Sequence, residues 1–86
     1  MLTIDDCIAL SDLTEDEIEA IAEHEHLPEM VAVELGCCLV HAADGPRRIA
    51  RIIRDDIEHA RSHGQILHAE RLVMVLDGFV AHHPAP

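Results

Sequence analysis

The stretch PEMVAVELGCCLVHAA, residues 28–43, predicts a helix that is apolar on nearly every side. Pro28 has the backbone angle of a first helical position. Asp44, Gly45 and Pro46 then end the helix, because glycine accepts the left-handed C-terminal conformation and proline cannot continue a helix. A helix that is apolar all round is normally buried on all sides. We therefore expect residues 28–43 to form the buried centre of the fold.

Two helix starts precede this stretch. Thr3 is a candidate N-cap, with Asp6 three residues later, and it predicts a short N-terminal helix. Thr14 and Glu17 have the spacing of a capping box, in which each side chain bonds the backbone of the other residue. This pattern predicts a helix over about 14–26.

Two amphipathic helices follow the central stretch. Over about 46–63 apolar residues recur three, four, eight and eleven positions after the first, which is the period of one helix face. They are Ile49, Ile52, Ile53, Ile57 and Ala60. A broad apolar stripe predicts another helix over about 65–82. The chain is thus predicted to be all-α, a small bundle of four main helices or fewer besides a short N-terminal helix, over about 14–26, 28–43, 46–63 and 65–82.

Length and composition predict one small domain. The chain has 86 residues, so we expect a single helical domain, 1–86, with a short C-terminal tail at 82–86. A chain of this size buries only about 60% of its unfolded surface. Its residues are 49% hydrophobic with a single aromatic, Phe79. Because so small a core gives marginal stability, we expect a homodimer to bury further apolar surface.

Charge is distributed unevenly along the chain. The net charge is −11, which opposes binding of nucleic acid. Residues 1–34 contain eleven of the seventeen acids and no Lys or Arg, whereas residues 47–61 contain five of the six Arg. This asymmetry favours docking of the acidic segment on the basic one, within a chain or across a dimer.

The N-terminus and the cysteines predict the compartment. The sequence MLTIDD is acidic and lacks the apolar run of a signal peptide. No segment has the roughly 18 uninterrupted apolar residues of a membrane span. Three cysteines without secretion features suggest thiols in a reducing environment. We expect a cytoplasmic protein without a membrane partner.

One candidate metal site lies on the central helix. Glu34, Cys37 and His41 follow each other at i, i+3 and i+7, within roughly 60° of one another around the helix. Carboxylate, thiolate and imidazole are ligands for a transition metal such as zinc. Alternatively, the cysteines are small core residues, and Glu34 and His41 form a polar pair or face solvent.

A second candidate metal site lies at the end of the preceding helix. Glu23 and His26 have the Glu-x-x-His spacing of di-iron helical bundles. Such a site needs two copies, and Asp56 with His59 is only an imperfect second copy, so a dimer would have to complete it. The alternative is a polar, solvated helix end.

These observations favour an interaction protein over an enzyme. The sequence contains no phosphate-binding loop, no Gly-x-Ser-x-Gly elbow and no Cys-x-x-Cys pair. The leading hypothesis is a non-catalytic helical module for protein interaction or regulation that forms a homodimer, with another protein as a further candidate partner. The alternative hypothesis is a metal-binding protein that holds zinc or iron with Glu, His and Cys ligands.

Overall fold

The structure, a computed structural model, describes residues 3–83 apart from the side chains of residues 4 and 5. This part of the chain consists of five α-helices and contains no strand, which confirms the predicted all-α class. In chain order the helices are α1 (Ile4–Leu10), α2 (Glu15–Glu25), α3 (Glu29–Val40), α4 (Gly45–Ser62) and α5 (Ile66–His82). Within residues 3–83, none of these helices has both the length and the apolar character that crossing a bilayer requires.

Capping boxes set the starts of α1 and α2, as predicted. The backbone N–H of Asp6 donates to Thr3 Oγ1 and that of Thr3 donates to Asp6 Oδ2, both at 3.1 Å. The same exchange joins Thr14 and Glu17, at 2.8 and 3.2 Å. Each box satisfies two N–H groups that have no partner within the helix.

The centre of the bundle is α4. Its predicted apolar stripe is buried, and the helix packs against α2, α3 and α5. Ile49 and Ile53 are fully buried. Burying such a side chain contributes about 1.5–3 kcal/mol. The 18-residue α4 therefore organises the core that residues 28–43 were expected to organise.

The prediction that residues 28–43 are buried on all sides is wrong. Only Ala32, Val33 and Gly36 of α3 are buried, and Val31 is 42% exposed. A bundle of this size has enough helices to cover one helix on several sides, and the longer α4 occupies that position. The helix α3 therefore contains more apolar residues than the fold buries.

The corner between α3 and α4 also differs from the expectation. Helix α3 ends at Val40, and Gly45 is the first residue of α4 and not a stop signal. A Cβ at Gly45 would overlap the carbonyl oxygen of Leu39, so this residue must be glycine for the two helices to meet so closely. At its other end α3 starts one residue later than predicted, because Pro28 is its N-cap.

The predicted tail at 82–86 is only partly described. His82 is the last residue of α5 and His83 follows it as the C-cap. The remaining tail residues, 84–86, lie outside the described residues.

Candidate functional site

The predicted zinc ligands on α3 share one face but do not converge. Glu34 and His41 are exposed, and Cys37 is half-buried. The Nδ1 atom of His41 donates to the carbonyl oxygen of Cys37 at 2.8 Å and lies 4.0 Å from the Cys37 thiol. The imidazole proton is therefore engaged by the helix backbone.

Glu23 and His26, the Glu-x-x-His pair, do not lie on the same helix turn, because α2 ends between them. His26 is the C-cap, in the left-handed conformation with φ of 55°, and it is exposed. Glu23 instead bonds His68 of α5, with its two carboxylate oxygens 2.8 and 3.1 Å from Nε2. Among the side chains that the structure describes, no group of three or more His, Cys, Asp or Glu is arranged to hold a metal ion. Metal binding at either position stays a prediction.

Glu23 belongs to an acid–histidine cluster where α2, α4 and α5 meet. The cluster consists of Glu23, His24, Asp55, Asp56 and His68. The Nε2 atom of His24 lies 3.2 Å from Asp55 Oδ2, and its Nδ1 lies 3.3 Å from Glu25 Oε1. Burial lowers the pKa of His24, but the bonds to Asp55 and Glu25 and the charge of Asp56 outweigh it, so the pKa is raised.

Asp56 is the unusual member of the cluster. It is 5% exposed, and its Oδ2 atom has no hydrogen-bond partner among the described residues. Loss of water around the carboxylate, together with the negative charge of Glu23, raises the pKa of Asp56 to about 7, although His24 and His68 partly offset this. Near neutral pH this site therefore gains or loses a proton inside the fold.

Sequence reasoning paired Glu23 with His26 and Asp56 with His59, and so missed the partners that form this cluster. The one signal for Asp56 is its place within the apolar stripe of α4, three residues after Ile53 and one before Ile57. A charged residue at a core position is rare and needs an explanation. The bond between Glu23 and His68 joins residues 45 apart in sequence, so helix periodicity alone could not have found it.

A second feature, the arginine groove, runs between α4 and α5. It has a volume of about 480 Å³. Its cationic rim consists of Arg47, Arg48, Arg51 and Arg54. Its floor consists of Ala50, Phe79 and Val80, and Asp44, Pro46 and His83 complete the lining.

The four arginines of the groove make no ion pair within residues 3–83. Nearby acids on α4 have other partners, since Asp55 bonds His24 and Glu58 faces Arg61 at 3.9 Å. The positive charge predicted at residues 47–61 is thus concentrated on one open surface, and the acidic α2 packs elsewhere on α4.

A third feature is the outer face of α5. Of the six large apolar side chains that are exposed in the described chain, four lie on this helix: Ile66, Leu67, Met74 and Val80. Leu67 is 82% and Met74 is 75% exposed, and they lie on one line with exposed Ala81 at i, i+7 and i+14. Gly78 borders this line, and a Cβ there would meet nothing within 4 Å. The line of Leu67, Met74 and Ala81 is therefore apolar, and no described residue of the chain covers it.

Comparison with family models, with curated proteins and with solved structures finds no match for this chain.

Proposed function

We propose that this protein is a non-catalytic helical interaction module that forms a homodimer through the outer face of α5. The observation that supports the proposal is the uncovered line of Leu67, Met74 and Ala81. Single exposed apolar residues are ordinary, but exposed apolar residues that recur along one line of a helix favour an interface. A second copy is the simplest partner, because homo-oligomers with two-fold symmetry are the commonest assemblies.

The charges that flank this line favour one orientation of the two helices. By helix geometry Glu70 and Asp77 lie on one side of the line, and Arg71 and Gly78 lie on the other. If two α5 helices pack in the same direction around a two-fold axis, the acidic flank of each faces the Arg71 flank of the other. If they pack in opposite directions, each acidic flank faces its own copy, which costs energy through like-charge repulsion. The parallel arrangement is therefore favoured.

Gly78 supports the same interface. Glycine inside a helix is less stable than alanine by about 0.5–1 kcal/mol. No described residue requires a glycine there, because the space where its Cβ would lie is open. A helix from a second copy could approach Gly78 closely because glycine has no side chain, and this would explain the glycine.

The mass of the untagged protein in solution, measured by size-exclusion chromatography with light scattering, tests the dimer. We expect a concentration-dependent dimer that Met74→Glu weakens by at least about tenfold, ~1.4 kcal/mol. The matched control is Val31→Glu, which places the same charge on an exposed apolar position of α3 and should leave the dimer intact. A monomer at high micromolar concentration, or equal loss in both variants, would overturn the proposal.

Disulfide trapping tests the orientation. In a variant whose three cysteines are replaced by alanine, Ala81→Cys should form an intermolecular disulfide on oxidation, because parallel helices bring position 81 beside its own copy. An antiparallel pair would bring it beside position 67.

Arg71→Glu should weaken the dimer, and Glu70→Arg added to it should restore the affinity. Arg71→Glu also breaks the bond between Arg71 and Asp16 within one chain, at 3.3 Å, and Glu70→Arg does not restore that bond. A recovered dimer affinity would therefore show that residues 70 and 71 of the two copies form an intermolecular pair.

A further inference from the structure

We propose that the arginine groove binds an acidic, amphipathic helical segment of another protein. The groove shares no lining residue with the line of Leu67, Met74 and Ala81, so the inference does not depend on the proposed dimer. The inference starts from four arginines that line one groove and make no ion pair within residues 3–83.

The arginines weaken the helix that carries them. Arg47 and Arg48 lie in the first turn of α4, where the positive end of the helix dipole disfavours cations. Arg47 and Arg51 are also like charges at i, i+4, which costs a few tenths of a kcal/mol. Asp44, the N-cap, opposes them with a single negative charge, and no acid lies in the first turn of α4. Residues that oppose the preferences of their own helix in this way are typical of functional sites.

The floor of the groove indicates what kind of ligand fits. Val80 is 44% exposed and offers an apolar contact, with fully buried Phe79 beneath it. The ring of His83 stacks on Phe79 at 4.7 Å, and its Nε2 lies 3.1 Å from the carbonyl oxygen of Asp12, which fixes one wall. A cationic rim above an apolar floor suits a helix with apolar anchors and acidic flanks, the helix-in-groove mode of peptide recognition.

Two other anionic ligands fit the groove less well. A free phosphate would not use the apolar floor. A nucleic acid would meet the field of a chain with net charge −11, which opposes the approach of a polyanion. A short acidic helix carries fewer charges than a nucleic acid and also brings apolar side chains to the floor, so the observations favour a protein ligand.

Fluorescence anisotropy at low salt tests the inference. The probe is a labelled peptide of four Glu-Glu-Leu-Leu repeats, with a Lys-Lys-Leu-Leu peptide, inorganic phosphate and single-stranded DNA as competing ligands. We expect the acidic peptide alone to bind, with an affinity that falls as salt is added. The double variant Arg51→Glu/Arg54→Glu should bind about tenfold more weakly or worse, ~1.4 kcal/mol.

The matched control is Arg61→Glu, on the same helix but outside the groove. All three arginines are exposed, so the variants should keep the wild-type helical circular dichroism. Unchanged affinity in the double variant, equal loss in the control, or preference for DNA or phosphate would overturn the proposal. Loss of the dimer in the double variant would assign the groove to a second copy of this chain, which overturns it as well.

Discussion

Replacing Asp56 by asparagine should stabilise the fold above neutral pH. The substitution keeps the shape of the side chain and removes a negative charge from a position that is 5% exposed. Burial raises the pKa of Asp56 from 3.8 to about 7. The folded protein therefore holds a proton that the unfolded chain releases between these two pH values. By linkage, this group destabilises the fold progressively as pH rises through that window.

The size of the effect follows from the same shift. Between pKa values of 3.8 and about 7, the penalty amounts to about 2 kcal/mol at pH 5 and about 4 kcal/mol at pH 8. Well below pH 3.8 both states are protonated and the penalty vanishes. Because the asparagine side chain does not titrate, the gain in unfolding free energy of the variant over wild type should follow this curve.

Urea unfolding at pH 5, 6 and 8, followed by far-UV circular dichroism, measures the gain. Tryptophan fluorescence cannot serve, since the chain has no Trp and no Tyr. The matched control is Glu58→Gln, which removes one negative charge from the same helix at a side chain that is 80% exposed and faces Arg61 outside the cluster. It should cause a small loss without the rise between pH 5 and 8. A pH-independent difference, or an Asp56→Asn variant that is less stable than wild type at pH 8, would refute the reasoning.

Three further predictions concern the helices and His24. Gly78→Ala should stabilise the monomer by about 0.5–1 kcal/mol, because alanine is preferred to glycine inside a helix and the space there is open. Gly36→Ala should instead destabilise the fold, because its Cβ would lie 2.6 Å from Leu13 Cδ1 and the overpacking, about 1–3 kcal/mol, outweighs the same gain. Thermal unfolding of the two variants compares the crowded position with the open one. Thr14→Ala should cost about 1 kcal/mol by removing a cap, and Thr14→Ser should retain most of that stability in the same melts. The pKa of His24 is raised in the folded state, so its contribution to stability is full below the unfolded value of 6.5 and is lost as pH rises through the folded pKa. In an NMR titration its ring signals should therefore have a midpoint above 6.5. A midpoint below that value would contradict the bonds to Asp55 and Glu25.

Local signals predicted the helices well, because the relevant atoms lie within one turn of each other. The Thr14 and Glu17 box joins residues three apart, and the stripe from Ile49 to Ala60 belongs to one helix face. Such interactions depend only on neighbouring residues and helix geometry. For the same reason the start of α2 and the buried face of α4 agree with their predictions.

Burial of a whole helix depends on how many other helices can reach it, and the sequence pattern does not contain that information. The apolar character of α3 predicted the buried centre, but the fold covers Val33 and leaves Val31 exposed. The acid–histidine cluster was missed for a related reason. The bond between Glu23 and His68 exists only after α2 and α5 have packed together. In the sequence, this packing was indicated only by Asp56, a charged residue within an apolar stripe.

The contact between Gly45 and Leu39 has a consequence for mutational tolerance. Every residue other than glycine carries a Cβ, and any Cβ at position 45 overlaps the Leu39 carbonyl oxygen, so the smallest change is as disruptive as a large one. In a library that randomises this codon and selects for folded chains, glycine alone should survive, without the graded preference for small residues that is typical of a crowded core. Codon 45 would then act as an internal marker, since survivors with another residue there must have built the α3–α4 corner differently.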